Sequence, residues 1–412
     1  MKTLIKNIGL LATPLGKEAK RGKEQGRLAL IKNTYIVLSD GCITEVGAEN
    51  QNDRAGFEAD QVVDAGGALV TPGLIDAHTH LIFSGWRQHE LPLKLQGVSY
   101  LEILKNGGGI LSTVNNTRKA SLAELIEFGR ENLDTMLAYG TTTCEVKSGY
   151  GLNVEDEIKS LVAVRELNTV HAVDLVPTFM GAHAVPAEYS ERKADYVRLV
   201  CENMIPEIAR QKLAEFCDVF CESTVFDLEE SRAILECGKG YGLLPKIHAD
   251  EITALGGAGL AGEVGAISAE HLIHASDAGI IKMAQQGTIA VLLPGTSFYL
   301  GEDFARARTM IQAGIPVAIA TDFNPGSCPT ESLQLPMNLA CLKYKLTPQE
   351  ALTAVTLNAA AALNRAQHIG SIEQGKQADI VIWNAMDLDY IFYHWGTNLV
   401  RAVIKNGKKV IG

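Results

Sequence analysis

The sequence predicts an α/β fold: a (β/α)8 barrel of the TIM type, carrying a small discontinuous β domain made by both chain ends. Three observations point there. Eight short apolar segments recur through the middle of the 412-residue chain, separated by stretches with helical periodicity. Histidines and carboxylates stand at or just past the C-terminal ends of those segments. Both termini, by contrast, read as short strands joined by tight turns.

The N-terminal pieces are "TLIKNIGLLAT", "LALIKNTYIVLSDGCITEVG" and "QVVDAGGALVTPG". Between the apolar runs, "SDG" reads as a hairpin turn, with Gly41 free to take the positive φ that such a turn requires. The tail repeats this texture in "ADIVIWN" and "NLVRAVIKNGKKVIG", so its last segment is expected to pair with the N-terminal strands. Residues 1–68 and 366–412 are therefore expected to form one β domain, and residues 69–365 the barrel. The eight barrel strands are read in "GLIDAHTH", "TTTCEV", "DLVPTFMG", "CDVFCE", "LPKIHA", "ISAEHL", "TIAVLLP" and "PVAIATD". Stretches such as "SLAELIEFGRENLDTMLAYG" supply the helices. An open doubly wound sheet is the competing architecture, but it would carry a Gly-rich phosphate turn after its first strand, and "THLIFSGWR" is no such turn. The glycines of "KNGGGILST" lack the spacing of a phosphate cradle and read as a bend in the connection after strand one.

Composition bounds the function. At 47% hydrophobic and 21% charged, the chain can bury a large core. A formal charge of -11 with no long basic block argues against nucleic acid as a partner. No run approaches the ~20 apolar residues of a membrane span, and the N-terminus lacks the core of a signal peptide. Eight cysteines without paired CxxC knuckles suit a reducing compartment, so a cytoplasmic, soluble protein with a small-molecule partner is expected.

The first strand ends in His78 and His80, which project to one side because the side-chain period of a strand is two. In a barrel the ends of different strands converge on one mouth, and here they bring Glu145, His183, Glu222, His248, His271 and Asp322 toward that pair. Three imidazoles and a carboxylate suit zinc or iron, whereas magnesium or calcium would want mostly oxygen. His78, His80, His248 and Asp322 are accordingly assigned as metal ligands. Singly, His248 could be a hydrogen-bonded strand end and Asp322 a turn cap; together with the His-x-His pair they make a metal pocket.

The motifs "PGLIDAHTHLIFSGWR", "GGGILSTVNNTR", "TTTCEVKSGYGL", "PTFMGAHAVP", "HADE" and "TDFNPGS" resemble those of the metal-dependent amidohydrolase superfamily along almost the whole chain. The combination of "GGGI", "EVKSGYGL" and "GAHAVP" narrows the resemblance to its imidazolonepropionase family. That resemblance implies hydrolysis of the cyclic amide C–N bond of 4-imidazolone-5-propanoate to N-formimidoyl-L-glutamate, a step of histidine degradation. It implies one zinc or iron ion per subunit, no organic cofactor, no nucleic-acid or membrane partner, and a homodimer, since dimers occur in the family.

Against that substrate the catalytic candidates are Glu251, His271 and Asp322. Asp322 and His271 share base duty, and Glu251 passes a proton to the leaving nitrogen. Arg87 supplies a planar cation for the propionate. By resemblance Tyr150, His183, Asn324, Gly326 and Ser327 also meet substrate, as does Glu251; Tyr100 is a further candidate that helix packing would explain equally well. Related enzymes bridge two metals from the fourth strand, where Glu222 stands here, while Lys147 on strand two reads as a structural or pocket residue. The alternatives are a metal-dependent deaminase of a nitrogen heterocycle and a non-enzymatic ligand-binding barrel.

Overall fold

The computed structural model describes residues 1–48, 58–98, 102 and 107–412. Its strands run in chain order as β1 (Lys2–Thr13), β2 (Ala29–Ser39), β3 (Cys42–Ala48), β4 (Gln61–Asp64) and β5 (Leu69–Pro72). There follow β6 (Leu74–Asp76), β7 (Thr141–Lys147), β8 (Asp174–Ala182), β9 (Phe216–Cys221), β10 (Leu244–Ala249), β11 (Ser268–His271), β12 (Ile289–Leu292) and β13 (Val317–Ile319). The tail adds β14 (Ile380–Trp383), β15 (Val400–Lys405) and β16 (Lys408–Ile411).

Strands β6 to β13 pair in sequence order, each parallel to the next, as an eight-stranded sheet. The seam between β13 and β6 is joined just beyond the strand ends. Asp322 N–H donates to His78 O at 3.0 Å and His80 N–H to Phe323 O at 2.9 Å. The backbone that completes the barrel is thus the backbone that carries three of the expected ligands. A carboxylate reinforces it lower down, where Asp76 accepts the Thr321 N–H at 3.0 Å and the Thr321 hydroxyl at 2.6 Å.

Helices cover the outside, and their starts are written locally. Ser121 with Glu124 and Asp227 with Glu230 form reciprocal capping boxes at Leu122–Ala138 and Leu228–Gly240. Asn153 and Ser276 cap Val154–Val170 and Asp277–Gln286. The glycine bend is present: Gly107 and Gly109 take φ of +82° and +67°, and Gly109 opens the helix Gly109–Lys119.

The chain ends build a second, mixed eight-stranded sheet, ordered β16-β15-β14-β5-β1-β2-β3 with β4 beside β1. The last strand does not reach the N-terminal strands: β16 pairs with β15, and the two halves join through β14 against β5. Geometry favours that join, because Leu69–Pro72 in the terminal sheet is followed, across Gly73, by Leu74–Asp76 in the barrel. Among the described residues no helix is long and apolar enough to cross a membrane.

Candidate metal centre and active site

His78, His80, His248, His271 and Asp322 are buried together at the barrel mouth. Ligand atoms of His78, His248 and His271 lie within 4.8 Å of one another, as do those of His78, His80 and Asp322. Asp322 Oδ1 stands 3.4 Å from His78 Nε2 and 3.6 Å from His80 Nε2. Its other oxygen accepts the Thr296 hydroxyl at 2.6 Å, which turns Oδ1 toward the imidazoles. His271 and Asp322 take left-handed backbone, φ +66° and +57°, as does Leu272 at +61°. Such conformations are unfavourable for a histidine or leucine and concentrate at functional sites.

Beneath the histidines the barrel interior is ionic. Lys147 Nζ contacts Glu145 at 2.9 Å and Asp218 at 2.7 Å, and Lys246 Nζ contacts Glu145 at 3.0 Å and Glu270 at 3.8 Å. This layer fixes two rings: Glu270 accepts from His78 Nδ1 at 3.0 Å and Asp218 from His248 Nδ1 at 3.1 Å. With Nδ1–H committed to a carboxylate, each ring presents the lone pair of Nε2. Among the described residues those two buried Nε2 atoms have no hydrogen-bond partner. A buried acceptor without a donor is costly, and a cation answers it; the residues fit a zinc or iron ion.

Burial, reinforced by the neighbouring imidazoles and Lys147, holds His78, His80 and His271 well below the ordinary imidazole range, and His183 falls to about 3. Burial also lowers His248, against the pull of Asp218. All are therefore neutral at pH 7, the form that binds metal. Burial opposes ionisation of Asp218, but His248 and Lys147 outweigh it and hold the carboxyl well below its usual range. Asp322 is pushed up to about 7 by burial. Glu251 is pushed up to about 8 by burial and then by repulsion from Asp322 and Glu222.

The structure brings most of the expected site residues together. Glu251 Oε2 lies 3.5 Å from His271 Nε2. His183 stacks on His80 with ring centroids 4.8 Å apart, and Tyr150 lies 6.0 Å from His80 and 5.3 Å from His183. Asn324 ties the following turn, its Oδ1 accepting the Gly326 and Ser327 N–H groups at 2.8 Å each. Arg87 lies over that turn, since a Cβ on Gly326 would fall 2.2 Å from Arg87 Nη1. Glu90 takes the Nε and Nη2 donors of Arg87 at 3.0 and 2.9 Å.

Other expectations change. Glu145 is not at the mouth but in the ionic layer below it. Glu222 turns away from the histidines and accepts from the Ile252 and Thr253 N–H groups at 3.0 and 3.1 Å and from the Thr253 hydroxyl. Tyr100 lies outside the described residues. Sequence reading missed Asp218, Glu270 and Lys246, whose signal was a charge inside an apolar strand.

The amidohydrolase family model matches residues 69–410. An imidazolonepropionase of Alkaliphilus metalliredigens (strain QYMF) is 52% identical over 413 residues, covering 99% of this chain and 97% of that protein. One from Thermoanaerobacter pseudethanolicus (strain ATCC 33223 / 39E) is 49% identical, covering 99% and 98%. Among solved structures, a triazine hydrolase variant superposes with a TM-score of 0.76 at 18% identity, covering 100% of this chain and 94% of that one. An adenosine deaminase from Xanthomonas campestris with bound zinc gives 0.67 at 19%, covering 99% and 92%. Likeness at that identity speaks for the fold.

Proposed function

The chain belongs to the amidohydrolase family and, within it, to the imidazolonepropionases, and from that premise we propose how its pocket divides the work. It is a metal-dependent cyclic amidohydrolase that converts 4-imidazolone-5-propanoate to N-formimidoyl-L-glutamate. One observation carries the assignment of roles. Asp322 and the turn that seats Arg87 over Gly326 lie four residues apart, so the reacting carbonyl and the propionate are addressed from one loop.

His78, His80, His248 and Asp322 hold one zinc or iron ion per subunit. When bound, the ion supplies Lewis acidity, polarising the amide carbonyl and making water nucleophilic near pH 7. His271, whose ring nitrogen lies within 4.8 Å of the ligand atoms of His78 and His248, accepts a proton together with Asp322 and steadies the developing oxyanion. Glu251, held protonated near neutral pH by its burial, gives its proton to the ring nitrogen as the C–N bond breaks. Arg87 receives the propionate, Tyr150 and His183 border the ring, and Asn324, Gly326 and Ser327 shape the product side. No organic cofactor takes part. The eight free cysteines suit a reducing cytoplasm, and family membership supports a homodimer.

The test is hydrolysis of freshly prepared 4-imidazolone-5-propanoate by metal-quantified protein, with product mass identified and an apo control. Metal-dependent N-formimidoyl-L-glutamate is expected. Ammonia release from nitrogen heterocycles, with no turnover of the imidazolone by folded, metal-loaded protein, would replace the reading with deamination.

A further inference from the structure

The loop that carries Tyr150 is organised by a carboxylate remote from the reaction. Glu157 lies in the first turns of the helix Val154–Val170 and is fully buried. Its Oε1 accepts the Gly151 and Leu152 N–H groups at 2.8 Å each, its Oε2 accepts the Gly149 N–H at 3.1 Å, and the Ser148 hydroxyl donates to the same carboxylate. Arg118 holds the same loop through its carbonyls, Nε donating to Gly151 O at 2.7 Å and Nη2 to Leu152 O at 3.2 Å. Glu188 anchors that guanidinium at 2.8 Å.

The backbone needs this hold. Leu152 sits at φ +52°, where a leucine gains nothing locally, and Gly149 at φ +112°. A Cβ on Gly149 would fall 2.9 Å from the His183 ring, and one on Gly151 would fall 2.5 Å from Glu157 N. The loop is therefore pressed between His183 and the helix. The Gly149 carbonyl in turn accepts from His183 Nδ1 at 3.1 Å. A single carboxylate thus fixes the backbone on both sides of Tyr150 and the acceptor that orients His183.

We propose that Glu157 is a positioning residue for substrate recognition, holding Tyr150 and His183 in register above His80. The inference rests on the reading of those two side chains as substrate contacts. Its physical content is a donor count. An amide in place of the carboxylate has one accepting atom; if that atom keeps Gly151 and Leu152, its NH2 faces the Gly149 N–H, donor against donor. Gly149 must shift, and its carbonyl carries His183 with it.

The experiment compares E157Q with Y150F and H183N in the metal-loaded enzyme. E157Q is expected to raise KM about tenfold with kcat held within about threefold, the signature of lost ground-state positioning, at unchanged metal content. Its His183 ring nitrogen resonances should shift, which a merely structural role would not cause. If Y150F and H183N raise KM and E157Q does not, the positioning role is wrong. If none of the three raises KM, the substrate-contact reading itself falls. Should E157Q fail to fold, R118Q loosens the same loop from its carbonyl side and is expected to raise KM in the same way; an unchanged KM in R118Q overturns the proposal.

Discussion

The two eight-stranded sheets of this chain are buried by opposite means. The terminal sheet encloses mostly hydrocarbon: Ile5, Ile8, Leu11, Ile36, Ile380 and Ile404 form its core, and the buried charge of Lys405 at the end of β15 is paired with Asp379 at 2.7 Å. The barrel closes around Glu145, Lys147, Asp218, Lys246 and Glu270, all fully buried. Well-packed hydrocarbon stabilises a fold at least as well as a buried ion lattice, whose desolvation offsets much of its Coulomb attraction. Stability alone therefore gives no reason for charges in the barrel. Their effect is orientational, because the layer ends on the Nδ1 atoms of His78 and His248 and fixes where both rings point. Closed sheet and open sheet differ in what a substitution can break.

The largest effect is expected at the top of the charged interior. H271A should lower kcat by roughly 10²–10⁴, the scale of positioned acid–base help, while metal content measured by mass spectrometry stays at the wild-type ratio. His271 stands within ligand distance of His78 and His248, so the measurement discriminates. Metal loss in parallel with activity would move His271 into the ligand set and leave base duty to Asp322.

One layer down the effect should shrink and change character. D218N and E270Q remove the carboxylates that align His248 and His78, and metal affinity should fall about 10–100-fold, read by competition with a chelator. Metal-saturated D218N and E270Q should recover most of kcat. Affinity equal to wild type would mean that the ionic layer only fills space, and the contrast between the sheets would lose its meaning.

The same contrast explains what could be read from the sequence. The barrel was legible because strands buried on both faces leave continuous apolar runs. The pairing of His78 with His80 was legible from His-x-His, although the strand expected to carry them ends at Asp76 and the two follow it in extended chain bridged to Phe323 at Thr79. Asp218 and Glu270 left a usable signal, a charge within "CDVFCE" and "ISAEHL", where a doubly buried strand tolerates none without a partner. Parity along the strand does not reveal depth, so Glu145 was expected at the mouth and lies below it. Glu157 left no signal, since an acid in the first turns of a helix is favoured there by the dipole whatever else it does. Its role depends on a loop folding back onto it, which local pattern does not encode. The role of Glu222 stayed open in the sequence for the same reason, its partners Ile252 and Thr253 coming from the loop after the next strand.

The smallest effect is expected in the terminal sheet, and it is the sharper test of independence. Ile404 is fully buried and lies opposite Ile380, whose other neighbour across the sheet is Pro72. From Pro72 the chain passes through Gly73, whose N–H donates to Asp379 O, straight into Leu74–Asp76 and on to His78. Covalently, then, the open sheet lies close to the metal ligands. I404V deletes one methylene-sized group and should cost about 1 kcal/mol of stability, read as a lower denaturant midpoint at unchanged slope, with kcat, KM and metal affinity as in the wild type. The reason is that β6 is held in place from the barrel side, by β7 and by the bonds of Asp76 to Thr321, so a small repacking behind Pro72 meets a rigid stop before it reaches His78. A loss of metal affinity in I404V would show that the terminal sheet sets the position of the first barrel strand, and the two sheets would then have to be treated as one device.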